Sequence, residues 1–178
     1  VSGARDDSGI ELACLEVHGQ FYGVDVQQVR EIVRSQVVTP LPQAPGLIEG
    51  VIDLRGAIVP VVDLGRALVH RASREGPRAR IAIVEVDGLV FGLRIDAAAD
   101  VVAVEAGGIG EPPPLVAQAG YEAVRAVVRR AGDHPILVLS LEHLLERIFR
   151  SALGGGAAPG EAGPTPNGAE TGAGRPEA

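Results

Sequence analysis

The sequence predicts a mostly β fold: two small barrels side by side, with short helices and a helix near the C-terminal end. Three observations carry this. Short runs rich in Val and Ile come in pairs, each pair joined by a few residues that include Gly, the pattern of β-hairpins. The chain repeats itself: CLEVHGQFYGVDVQQVREIV and IVEVDGLVFGLRIDAAADVV superpose with a constant shift, so that Glu16, Val17, Gly19 and Gly23 recur as Glu85, Val86, Gly88 and Gly92. Aromatic residues make up only 3% of the chain, which leaves the core to Val, Ile, Leu and Ala, side chains that fill small barrels. Neither half has the apolar bulk to stand comfortably alone. Two barrels are therefore expected to pack together, with the cleft between them as a natural binding groove.

The elements follow in chain order. Residues 1 to 9 are polar and expected to be flexible. Glu11–Val17 and Phe21–Val26 read as a hairpin turning at His18-Gly19-Gln20. In Gln27–Arg34, the residues Val29, Ile32 and Val33 join Val26 at helical spacing, which predicts a short helix. Val37–Pro42 reads as extended, because Pro40, Pro42 and Pro45 forbid a long helix. Gly46–Glu49 fits a turn of helix before the central hairpin, GVIDLRGAIVPVVDLGRAL, which begins at Gly50.

That hairpin organises the chain. Gly50 and Gly56 are its structural turn residues, and Arg55-Gly56 joins its two arms. Strand alternation puts Val51, Asp53 and Arg55 on one face and Ile52 and Leu54 on the other. Pro60 has no N–H to give a ladder, so it predicts an edge or a bulge. The loop HRASREGP, residues 70 to 77, marks the internal boundary near residues 70–78. Arg80–Val86 and Leu89–Ile95 flank Asp87-Gly88, the strongest hairpin dipeptide present. Val101–Val104 is a further strand, and GGIGEPPP a loop. Val124–Arg130 and Ile136–Leu139 form a last hairpin, and Leu141–Leu153 an amphipathic helix. The two-barrel domain thus spans 10–153. The Gly/Pro/Ala-rich segment 154–178 has nothing to bury and is expected to be disordered.

Composition excludes several functions. The net charge of −7 argues against a nucleic-acid binder. All sixteen basic residues are Arg, which we attribute to base composition of the genome. No apolar run reaches membrane-span length. The N-terminus lacks an apolar signal core, and without an initiator Met it reads as a processed or trimmed form. The single cysteine, Cys14, excludes an intramolecular disulfide and fits a reducing cytoplasm; in its apolar strand it reads as a buried, inert thiol.

Catalytic and metal chemistry find little footing. His18, His70, His134 and His143 lack metal-ligand spacing, and the turn histidines read as solvated. Asp53 and Asp63, on opposite arms of the central hairpin, are the one carboxylate pair that could do acid–base work, as in a small hydrolase. There is no phosphate-binding or dinucleotide-binding glycine loop. On the residues alone, Val29, Ile32 and Val33 fit a core as well as a binding face, and Arg55 fits a solvated surface as well as an anchor.

FYGVDVQQVREIV, followed by TPLPQAPGLIEGVIDLRGAIVPVVDLGRAL, resembles the CheW family of bacterial chemotaxis coupling proteins. Tyr22, Gly23, Asp25, Val29, Glu31, Pro45, Gly50, Leu54, Arg55, Gly56, Pro60, Asp63 and Leu64 stand at the family's marked positions, and the resemblance runs over roughly residues 11 to 150. It implies two five-stranded SH3-like barrels with a hydrophobic groove between them. It also implies a non-enzymatic adaptor, without cofactor or metal, that couples the cytoplasmic tip of methyl-accepting chemoreceptors to the regulatory domain of a CheA-type histidine kinase. Such a protein is cytoplasmic and recruited to membrane-associated receptor arrays. By this resemblance Arg55, Val29, Ile81 and Val101 are receptor-binding residues, and Val37 and Val38 lie at the kinase contact. An accessory that serves a separate motility or regulatory pathway, binding a receptor but not the kinase, is the alternative. The chain departs from the family pattern at Asp53, where Asn is usual; a carboxylate there is placed to pair with Arg55.

Overall fold

The computed structural model describes residues 9–44, 46–113, 122–129 and 134–154. Among these residues eleven strands build two sheets. In order they are β1 (Ile10–Val17), β2 (Gln20–Asp25), β3 (Val29–Arg34), β4 (Ile48–Leu54), β5 (Ala57–Asp63), β6 (Arg80–Val86), β7 (Leu89–Ile95), β8 (Ala97–Val104), the two-residue β9 (Ile109–Gly110), β10 (Val124–Val128) and β11 (Ile136–Leu139). Helix α1 spans Leu64–Val69 and α2 spans Leu141–Gly154. The flexible N-terminus expected for residues 1–9 and the disordered tail expected from residue 154 lie, Gly9 and Gly154 apart, outside the described residues.

The repeat shows in the topology, but not as two sequence halves. The six-stranded sheet has the order β8-β1-β2-β11-β10-β9 and the five-stranded sheet β3-β6-β7-β5-β4. Each sheet takes its first hairpin from one repeat and its third strand and second hairpin from the other. The loop at residues 70–78 separates α1 from β6, and the strands before and after it, β5 and β6, belong to the same five-stranded sheet. Exchange makes each repeat unable to complete a sheet without the other, which is how two undersized halves share one core. Neither sheet closes by hydrogen bonding among the described residues, so the barrels are open, curled sheets.

Both faces of the central strands are buried. Leu12 and Cys14 point into the six-stranded sheet's own core with Ile136 and Val138, whereas Leu15 and Val17 point into a core shared with the other sheet. Their repeat partners divide the same way: Ile81 and Ile83 join Ile52, Val59 and Val61 inside the five-stranded sheet, and Val84 and Val86 join the shared core. The space between the sheets is thus filled by Tyr22, Leu64, Phe91, Leu93, Leu139 and Leu144, and is a core instead of an open cleft.

Three local readings change. Gln27–Arg34 is not a helix: a single 3-10 turn at Val26–Gln28, capped by the Asp25 side chain, leads into strand β3. A bulge between Val29 and Glu31 hides the strand period: Val29 packs on the shared core, whereas Val33 packs on the five-stranded sheet's own core. Gly46–Glu49 is no helical turn either, since β4 has begun at Ile48. The GGIGEPPP stretch contains β9, paired to β10. The last hairpin forms between β10 and β11, and its turn at 130–133 lies outside the described residues.

The central hairpin is bounded by two glycines with different reasons. Arg55 and Gly56 have φ of 54° and 87°, a two-residue turn with both residues left-handed, which favours Gly at the second place. A Cβ at Gly50 would sit 2.2 Å from the carbonyl oxygen of Thr39. That strand-flanking segment is held by reciprocal bonds, Thr39 N to Val51 O at 2.8 Å and Val51 N to Thr39 O at 2.9 Å. The same bonds explain Pro60. Val51 turns its N–H and C=O toward Thr39, so its register partner Pro60 needs no donor on that side. Pairing of β5 with β7 starts only at Val61. Pro60 thus lies on the part of β5 that pairs with β4 alone, an edge as its missing N–H predicts, and costs no ladder bond.

Candidate functional site

The open margin of the shared core is the candidate site. Strands β3 and β8 are the outer neighbours of β6 and β1, and the 3-10 turn at Val26–Gln28 packs against both β1 and β6. The two edge strands therefore flank one margin of the sandwich. Repeat-equivalent residues line them. Val29 and Ala98 are half-buried against the shared core. One turn of the repeat further, Ile32 and Val101 are exposed, Val101 by 60%. An exposed β-branched pair beside a filled core is apolar surface that a partner can cover.

The structure brings Val29 and Val101 to this margin and removes Ile81 from it. Ile81 is wholly inaccessible inside the five-stranded sheet, among Ile52, Val59, Val61 and Ile83. Its place in the margin is taken by Ile32. The repeat carries the signal that finds it: Ile32 corresponds to Val101, as Ile81 corresponds to the equally buried Leu12.

Arg55 reaches from the tip of the β4–β5 hairpin to the opposite edge of the same sheet. Its Nη1 and Nη2 donate to Glu31 Oε1 and Oε2 at 3.0 and 2.7 Å, a two-pronged pair that bridges the edges β3 and β4–β5. The guanidinium stays 75% exposed. Asp53 does not pair with it. Its Oδ1 accepts from the Gly56 N–H at 2.6 Å and closes the turn. Glu31, on an edge strand read from sequence as a helix, was hidden for that reason.

Val37 and Val38 lie on the segment that crosses the open end of the five-stranded sheet. Val37 is 90% exposed, while Val38 is packed against the sheet's core and over Gly50. Beneath them Arg94, itself buried, meets Glu49 at 2.8 Å and Glu75 at 3.6 Å. Burial pushes the Glu49 carboxyl above its ordinary value, against the lowering by Arg94.

Asp53 and Asp63 do not form a carboxylate pair. Asp53 lies opposite Ile58, five residues from Asp63 along β5, or about 17 Å of strand. Asp63 is the buried N-cap of α1 and also accepts from the backbone and hydroxyl of Ser73. Among the described residues no group of three or more His, Cys, Asp or Glu could hold a metal. His18 is not a solvated turn histidine: its backbone N–H donates to Asp96 Oδ2 at 2.7 Å and its ring Nε2 lies 2.9 Å from the Ala72 carbonyl oxygen, which ties the loop after α1 to the β1–β2 turn. Cys14 is buried, as its strand pattern predicts.

The floor of the margin is anchored to α2. Gln28 Nε2 donates to Glu142 Oε1 at 2.7 Å, and Ser140 Oγ donates to Glu142 Oε2 at 2.8 Å. The Glu142 backbone N–H, helped by the Ser140 and Gln28 side chains, holds this carboxyl below its ordinary value of 4.5 against the desolvation that raises it. A depressed acid favours the fold above its unfolded pKa and loses that contribution as pH falls through the folded value. Glu142→Gln is therefore expected to be less stable than wild type at neutral pH, with the difference closing in acid. Urea melts across a pH series check this; a gap independent of pH would refute it.

Two curled sheets, an apolar margin and a projecting arginine define a docking scaffold. The chain belongs to the CheW-like domain family, whose profile matches residues 11–149. It is 31% identical over 145 residues to the chemotaxis protein CheW of Treponema pallidum, covering 79% of this chain and 85% of that protein. It is 33% identical over 144 residues to protein FrzA of Myxococcus xanthus, covering 80% of this chain and 89% of that one. Among solved structures it superposes on the scaffolding protein TtCheW of Thermoanaerobacter tengcongensis with a TM-score of 0.69 at 29% identity, covering 81% and 92% of the two chains. It is a chemotaxis-type scaffold of mostly β structure. No helix among the described residues is long and apolar enough to cross a membrane.

Proposed function

We propose that this chain couples a methyl-accepting chemoreceptor to a CheA-type histidine kinase, and that it does so without catalysis. The observation that carries the receptor side is the exposed repeat pair Ile32 and Val101 on the two edge strands that flank one margin. A receptor tip is a helical hairpin, and an apolar stripe of helix suits a groove between two edges. Arg55 supplies a fork for a carboxylate or carbonyl of the same partner. Val37, held outward by the anchored Val38, is the contact we assign to the kinase regulatory domain. The protein would work in the cytoplasm, at membrane-associated receptor arrays. Co-sedimentation with receptor hairpins displayed on vesicles, with and without the kinase, tests this. Retention of the kinase only when the chain is present is expected. Receptor binding that leaves the kinase in solution would replace this reading with that of an accessory to a separate pathway.

A further inference from the structure

Arg34 and Arg80 stand directly opposite each other in the β3–β6 ladder. Opposed residues leave the same face of a sheet. Two positions along on that face are Ile32 and the wholly buried Ala82, so the face is the one that looks into the shared core and its margin. Like charges directly opposite each other destabilise a sheet, and a chain of net charge −7 has carboxylates to spare. Among the described residues none forms an ion pair with either arginine. Arg80 Nη1 is pinned by the carbonyl oxygens of Pro77 and Ala79, each at 2.8 Å. Arg34 is exposed and makes no ion pair among the described residues. The nearby Glu16 is taken by Arg78 at 2.7 Å. At the equivalent place in the other sheet the opposed residues are Glu11 and Ala103. One end of the margin is thus basic and the other is not.

We propose that Arg34 and Arg80 are a carboxylate-binding end of the β3/β8 margin, receiving an Asp or Glu of the receptor helix that covers Ile32 and Val101. This rests on the receptor-coupling reading above. Two adjacent guanidinium groups, one pre-oriented by backbone carbonyls, recognise a carboxylate that neither finds among the described residues. The charge asymmetry also fixes direction, since a docked helix places its negative C-terminal end best over the arginines.

The test titrates the cognate receptor's cytoplasmic hairpin with wild type, Arg34→Ala, Arg80→Ala and Val101→Asp, at low and high ionic strength. Each Arg→Ala variant is expected to lose roughly five- to tenfold in affinity at low salt and less at high salt. The thermal midpoint of Arg34→Ala should equal or exceed that of wild type, because cross-strand repulsion is relieved. Wild-type affinity in both Arg→Ala variants, with binding lost in Val101→Asp, overturns the subsite and leaves receptor coupling standing. Loss of stability in step with affinity overturns it too, marking the pair as structural. Weakened binding to the kinase domain alone would move the arginines to another interface and refute the assignment. Absence of receptor binding by wild type would instead be the failure of the coupling reading itself.

Discussion

Ile81→Asp should leave the protein unfolded, while Val101→Asp should leave it folded and unable to hold a receptor. Both valine-like positions carry the same apolar chemistry in sequence, but the ladder sends them to opposite environments. Ile81 has no accessible surface and is surrounded by Ile52, Val59, Val61 and Ile83. A carboxylate there would have no partner, and burying an isolated charge costs more than a domain stability of about 5–15 kcal/mol allows. Even Ile81→Ala should cost roughly 2–5 kcal/mol, because the hole opens among close-packed neighbours. Val101 is mostly in water already, so Asp there should change stability by about 0.5 kcal/mol or less. In the complex, the same carboxylate would be pressed into an apolar contact. A central apolar anchor commonly carries about 2 kcal/mol, which is roughly thirtyfold in affinity. Circular dichroism melts and receptor titration decide the matter. A folded Ile81→Asp variant would contradict the burial derived for β6, and undiminished receptor affinity in Val101→Asp would remove β8 from the interface.

How far the sequence carries can be seen at particular residues. Asp87-Gly88, His18-Gly19 and Arg55-Gly56 all mark real two-residue turns, because the left-handed conformations they need leave few residue choices. Strand β3 is illegible for the opposite reason. A bulge between Val29 and Glu31 leaves Val29 and Ile32 on the shared-core face and Glu31 and Val33 on the face of the five-stranded sheet's own core, which breaks the alternation, while Val26, Val29, Ile32 and Val33 happen to satisfy helical spacing. That single misreading also concealed the Arg55–Glu31 pair, since 24 residues separate its members and only a strand brings them across the sheet. The repeat is legible, but its exchange is not: self-similarity says which segments are equivalent, not which copy each hairpin pairs with. The site is half legible on the same ground. Val29 and Val101 stand on the two edge strands β3 and β8, whereas Ile81 is separated from the margin by strand register, which composition does not encode.

Arg55→Ala should weaken receptor binding by roughly thirtyfold, about 2 kcal/mol, with little loss of stability. The two effects have different sources. The pair with Glu31 is largely exposed on the arginine side, and exposed ion pairs contribute only about 0–1 kcal/mol to folding, so the melting point should move little. The interface term is larger because docking removes water from a two-pronged donor whose position Glu31 has already fixed. Arg55→Lys keeps the charge but not the fork, and should fall between wild type and Ala. Glu31→Gln should also weaken binding, by less, since the guanidinium remains but is no longer held across the sheet edges. Asp53→Asn separates this account from one in which Asp53 masks the arginine. Here Asp53 serves the Gly56 N–H, a bond that the Asn carbonyl oxygen can accept as well. Receptor affinity should then be unchanged by Asp53→Asn. A rise in affinity would mean that Asp53, not Glu31, restrains Arg55 in solution. Equal affinity of wild type and Arg55→Ala would remove the hairpin tip from the interface and leave docking to the β3 and β8 edges alone.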